Sequence, residues 1–103
     1  MERVITIYWR DIPSRVVGRR GRKTVLKRQL DPRFERAIDR AARRAGGGSS
    51  KEYLEDWRRE SQPCEVELEQ AVAEQVARLE EEFPPDVLER VIRARGVVRG
   101  EDG

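Results

Sequence analysis

The chain has 103 residues, of which 41% are charged and 37% hydrophobic, with one cysteine and no histidine. That composition allows one domain with a small core, and it excludes His-based catalysis, Ser–His or Cys–His nucleophile pairs, an intramolecular disulfide and a Cys/His metal cluster. The net charge of +2 hides a split, with a balance of +9 over residues 1–48 and −7 over residues 49–103, and such asymmetry points one end at an anionic partner.

Val4–Trp9 reads as the first strand, with Ile5, Ile7 and Trp9 on one face and Val4, Thr6 and Tyr8 on the other. Both faces are partly apolar, as in a central strand covered on one side by helices. Pro13 then breaks the pattern and holds Ile12 extended. Arg15–Gly18 and Lys23–Leu30 read as a hairpin turning within Arg19–Arg22, where Gly21 accepts a positive φ. Its alternation is imperfect. Leu26 and Leu30 share a face with Thr24 and Arg28, and Val25 faces solvent or a second layer.

Asp31-Pro32 signals a helix start, an Asp cap followed by proline at the first helical position. Phe34, Ile38, Ala41 and Ala45 form its apolar stripe, Arg33, Arg36, Arg40, Arg43 and Arg44 its charged face, and Gly46 its stop. Gly46–Ser50 is a flexible joint. Ser49 with Glu52 makes a capping box for a short helix over about Ser50–Arg59, with Tyr53, Leu54 and Trp57 inward. The longest helix is expected over Glu65–Phe83, on Leu68, Val72, Val76, Leu79 and Phe83. After Pro84-Pro85 a last helix over Asp86–Arg95 turns Leu88, Val91 and Ile92 inward and stops at Gly96. The expected fold is α+β: a three-stranded antiparallel sheet followed by about four helices packed on it, one domain over residues 1–96 with a frayed tail over 97–103. No apolar run approaches the ~18 residues of a membrane span, and Met1–Arg10 does not read as a signal peptide. A cytoplasmic protein without membrane contact is expected.

Two groups of residues are candidate binding surfaces. The first is the hairpin, with Arg15, Arg19, Arg20, Arg22, Lys23, Lys27 and Arg28 within fourteen residues. It suits an acidic protein surface, nucleic-acid phosphates or a phosphorylated cofactor. Charged edge ribbons also serve simply to block sheet-to-sheet aggregation, and the hairpin lacks the aromatics that stack on bases. The second is Tyr8, Trp9, Arg10 and Asp11 with Trp57 and Arg58, which could frame a pocket between sheet and second helix. Tryptophans in a small domain more commonly form its core. The acidic runs Glu65/Glu67/Glu69 and Glu80/Glu81/Glu82 splay around a helix and read as a solvated face. Cys64, between Pro63 and Glu65, lacks the cationic surroundings of a reactive thiol.

Three phrases, Ile7-Tyr8-Trp9-Arg10-Asp11-Ile12-Pro13, Phe34-Glu35-Arg36-Ala37-Ile38-Asp39-Arg40-Ala41-Ala42 and Tyr53-Leu54-Glu55-Asp56-Trp57-Arg58, resemble the small bacterial "virulence factor" domain family. That domain also occurs appended to a HEAT-repeat conserved virulence factor. The resemblance spans about the first 90 residues and brings no catalytic residues with it. Stand-alone members of the family sit beside folate and corrinoid one-carbon enzymes, so the resemblance implies an accessory subunit of such a system, a partner and not a chemistry. With no phosphate-binding glycine loop and no nucleophile–base pair, the expectation is a non-catalytic accessory module without cofactor or metal. Its basic hairpin and Arg-rich helix would dock an acidic protein. A one-carbon enzyme subunit and a nucleic-acid-binding protein are the alternatives.

Overall fold

The computed structural model describes residues 1–46 and 50–98. The chain forms β1 (Glu2–Trp9), β2 (Ile12–Arg20), β3 (Lys23–Gln29), α1 (Pro32–Arg44), α2 (Ser50–Glu55), β4 (Trp57–Pro63), α3 (Leu68–Glu82) and α4 (Pro85–Arg93). The α+β class holds, but the sheet has four antiparallel strands rather than three, in the order β3-β2-β1-β4. The helix expected over Ser50–Arg59 ends at Glu55, and Trp57–Pro63 is a strand. Without it, β1 would leave one row of N–H and C=O groups unpaired. Pairing from Trp57 opposite Trp9 to Pro63 opposite Arg3 satisfies that row and outweighs the modest helix propensity of a charged segment. The Ser49–Glu52 capping box lies outside the described residues.

Two bulges explain the imperfect alternation of the hairpin. Ile7 and Tyr8 face Arg15 and Pro13, which leaves Ser14 as the extra residue. Gly18 and Arg19 face Leu26 and Thr24, which leaves Val25 as the extra residue. Each extra residue resets which side chains share a face. Thr24 is thereby in register with Arg19 and not on the face of Leu26 and Arg28.

α3 covers one face of the sheet. Gly18 permits its close approach, since a Cβ there would lie 3.1 Å from side-chain atoms of both Leu68 and Val72. On the same face Gln75, buried on α3, donates from Nε2 to Thr6 Oγ1 at 3.0 Å. That bond satisfies two polar groups that would each be costly to bury alone. Val4 and Val16 join Leu68, Val72 and Leu79 in the core, with Phe34 and Ile38 of α1 and Leu88, Val91 and Ile92 of α4.

α1 starts as its cap predicts, with Asp31 accepting from the Arg33 N–H at 2.9 Å. Phe34, Ala37, Ile38, Ala41 and Ala42 are its buried stripe. α3 begins three residues later than expected, at Leu68. Among the described residues no helix is long and apolar enough to cross a membrane.

Candidate functional site

The register sorts the cations of the basic half into two populations. Val4, Thr6, Val16 and Gly18 lie on the face under α3, so side chains one residue away lie on the other, outer face. In register across the outer face, Arg3 is opposite Arg19 and Pro63, Ile5 is opposite Val17 and Ser61, and Ile7 is opposite Arg15 and Arg59. Lys27 continues the row of Val17, and Gln29 that of Arg15. The outer face thus carries Arg3, Arg15, Arg19, Lys27 and Arg59, and no Asp or Glu at these register positions. None of the five forms an ion pair among the described residues.

The inner-face and helix cations behave differently. Arg20 pairs with Glu2 at 2.6 Å and Arg28 with Glu69 of α3 at 3.7 Å. Arg40 grips Glu89 of α4 with two bonds of 3.0 and 2.8 Å and holds that carboxyl below the usual carboxylate range. Arg43 pairs with Asp39, and Arg33 donates to the carbonyls of Glu80 and Phe83 at the end of α3. The hairpin cations therefore do not share one face. Arg15, Arg19 and Lys27 belong to the outer face. Arg20 and Arg28 are engaged by acids of the same chain, Arg22 sits in the turn, and Lys23 is in register with Arg20. Arg-rich α1 likewise spends much of its charge internally. Arg3 and Arg59 were absent from the sequence-based candidates. Arg3 was legible in the alternation of β1, whereas Arg59 needs β4 to be known.

The outer face holds its charge at a cost. Arg3 and Arg19 are a direct cross-strand pair of like charge, an arrangement that destabilises a sheet. Arg19 Nη2 donates to the Arg22 carbonyl at 2.8 Å, while its buried Nε has no acceptor among the described residues. Arg3 donates from Nε to Ser61 Oγ at 2.5 Å. Between the cations, Ile5 and Val17 are buried, as expected where aliphatic Arg and Lys stems overlie apolar residues with their heads in water.

The second candidate group does come together, through strand pairing and with Tyr53 of α2 against both tryptophans. Trp57 pairs with Trp9 and Arg58 with Tyr8. Trp9 is only 1% exposed. Its ring stacks on Tyr53 at 5.8 Å and its Nε1 donates to the Tyr53 carbonyl at 3.0 Å. Arg10 takes φ +54 in the β1–β2 turn. There it pairs with Asp56 at 3.0 Å, donates to the Arg95 carbonyl and overlies the Trp9 ring. Asp11 accepts from Arg58 at 3.2 Å and from the Val98 N–H at 2.7 Å. Arg58 also pairs with Glu60, donates to the Arg10 carbonyl and lies over Tyr8. Trp9, Arg10, Asp11 and Arg58 thus bind β1, β4 and the segment after α4 into one corner. Trp57, unlike the buried Trp9, is only partly buried, with its ring edge-on to Tyr53.

Burial, and after it the Glu60 carboxylate, push the Tyr8 phenol above its ordinary value near 10. A raised folded-state value means that the native state holds the proton more tightly than the unfolded chain. Its stabilising contribution is complete below about pH 10 and is lost as pH rises through the folded value. Tyr8→Phe is expected to flatten the loss of stability between about pH 9 and pH 11, read as urea midpoints of both proteins. Parallel declines would contradict it. Burial also raises the Cys64 thiol, with Glu2 adding to the effect, which disfavours a reactive thiolate. Among the described residues no three Cys, Asp or Glu side chains converge to hold a metal ion.

These features define a small α+β domain with a four-stranded antiparallel sheet, helices against one face and cations along the other. The model of the family described as "Virulence factor" matches residues 7–92. The chain belongs to that family. No match was found among curated proteins or among solved structures.

Proposed function

We propose that the protein is a non-catalytic accessory module that docks an acidic protein partner on the outer face of its sheet. The observation that carries this reading is the separation of charges. Arg20, Arg28, Arg40 and Arg43 have acidic partners in the chain, while Arg3, Arg15, Arg19, Lys27 and Arg59 share one face with no acid in register. A like-charge cross-strand pair and an unsatisfied guanidinium N–H are local costs that an anionic surface would relieve, and departures from local consistency concentrate at functional sites. Aliphatic residues under a cationic, arginine-rich surface also suit a protein interface.

The test uses the partner recovered from the native host by affinity purification and mass spectrometry. Association is followed at several salt concentrations. Arg15→Ser/Arg19→Ser/Arg59→Ser is expected to slow association about tenfold or more and to flatten its salt dependence. Arg20→Ser/Arg28→Ser/Arg40→Ser removes as much charge from paired positions and should leave the rate within about threefold of the parent. Equal rates for the two triple variants would sink the reading.

Nucleic acid is the second reading, favoured by one observation. β4 brings half-exposed Trp57 to the same face as Arg15 and Arg59, and an aromatic among cations is what base stacking requires. Filter binding of single-stranded RNA and duplex DNA at low salt tests it. Weak retention of both that is indifferent to Arg15→Ser would remove it.

A further inference from the structure

Two cavities meet at Trp57. One is a groove of about 380 Å³ on the outer face, lined by Ile7, Arg15, Trp57, Arg58 and Arg59. The other, of about 520 Å³, lies between the sheet and α1 and is lined among others by Gln29, Arg36, Glu35 and Asp39. Arg15 and Trp57 line both. The two sides differ in charge. On the outer face the groove is walled by arginines without a carboxylate lining it. Beyond Trp57, Glu35 and Asp39 offset Arg15 and Arg36.

We propose that this groove is the recognition site of the docking face, and that it takes an extended acidic segment of the partner anchored by one large apolar side chain. The proposal rests on the docking reading above and adds where the partner is read. The apolar anchor lies against Ile7 and Trp57, and carboxylates on one side of it meet Arg15 and Arg59. Charge complementarity selects this occupant. The two arginines are without ion pairs among the described residues, and each can take a carboxylate with two parallel bonds. Trp and Arg are also the residues that dominate binding energy where they line a pocket. The fall from net positive to balanced charge past Trp57 favours the arginine-walled side for the acidic residues of the occupant. A base-stacking role would instead call for several accessible aromatics along the face, whereas Trp9, the register partner of Trp57, is buried.

The probes are the labelled peptide Glu-Glu-Glu-Phe-Gly-Gly, its reversed sequence, a version with Phe replaced by Gly and a version with Glu replaced by Gln. Binding is read by fluorescence polarisation and by emission of the protein's tryptophans, with Trp57→Phe assigning the response. One of the two parent directions should bind at least about tenfold more tightly than either stripped version. Arg15→Ser and Arg59→Ser should each weaken it about tenfold, whereas Arg3→Ser, at the far end of the face, should change it less than about threefold. Circular dichroism establishes that each variant is folded. Equal affinity for the Phe and Gly versions, or no response at millimolar peptide, overturns the groove assignment. The two salt-dependent triple variants would still judge the docking reading separately. Tighter binding of hexauridylate than of any peptide would overturn it in favour of nucleic acid.

Discussion

Replacing Trp9 with alanine is expected to lower the free energy of unfolding by about 4 kcal/mol. The indole is 1% exposed, stacks on Tyr53, lies under the Arg10 guanidinium and uses its only polar atom on the Tyr53 carbonyl. Alanine would leave a cavity at the corner where β1, the residues preceding β4 and the chain after α4 meet. Domains of this size have about 5–15 kcal/mol of stability in total, so the variant would approach the unfolding threshold. Urea denaturation followed by circular dichroism measures the loss. A cost under about 1 kcal/mol would show that the ring is not core, and would return Trp9 to the set of ligand-facing side chains.

The same corner should respond from its other wall. Gly96 sits at φ +91, and a Cβ there would lie 2.8 Å from Trp9 Cζ3 and 3.4 Å from Arg10 Cβ. Its carbonyl accepts from the Asp11 N–H at 2.8 Å, so the backbone has little room to retreat. Gly96→Ala is expected to cost about 3 kcal/mol, from left-handed strain and overpacking together. Gly21→Ala supplies the comparison, because Gly21 has φ +63 with nothing within 4 Å of the added carbon. It should cost about 1 kcal/mol. Combining Gly96→Ala with Trp9→Phe, which trims the clashing ring edge, should recover part of the loss through a coupling of about 1 kcal/mol. Additive effects in that double-mutant cycle would disprove the contact.

These outcomes bear on function because they separate the corner from the face. Arg10, Asp11 and Arg58 are held by bonds within the chain. Arg15 and Arg59 have no ion pair among the described residues, and Trp57 is half-exposed between two cavities. A variant that harms folding at the corner and one that harms docking at the face should therefore be distinct proteins.

Much of this division was legible in the residues, where local chemistry decides. Asp31-Pro32 opens α1, Gly96 ends the last helix, and Phe34/Ile38/Ala41 and Leu68/Val72/Leu79 repeat at helical spacing because one face of each helix must be buried. The seven-cation run of the hairpin, its turn at Gly21 and the phrases carrying the family resemblance were equally visible. β4 was not. Trp57–Pro63 is an edge strand with no buried residue, so it lacks the apolar alternation by which strands are read, and it follows a short helix of similar polarity. Its strand state is decided by backbone pairing with β1, more than forty residues away in the chain.

The charge split belongs to the amino-acid sequence alone, as do the missing histidine and the helices that follow from spacing and caps. Which cations remain without an acid was decided by tertiary structure. Whether an arginine lies under α3 or on the outer face depends on strand register and on two single-residue bulges. A shift of one residue in a strand reverses the side on which every following charge emerges. Folding thus neutralises Arg20 with Glu2 of β1, and Arg28 and Arg40 with acids of the later helices, and it assembles Arg3, Arg15, Arg19 and Lys27 of the first three strands with Arg59 of the distant β4 on one face.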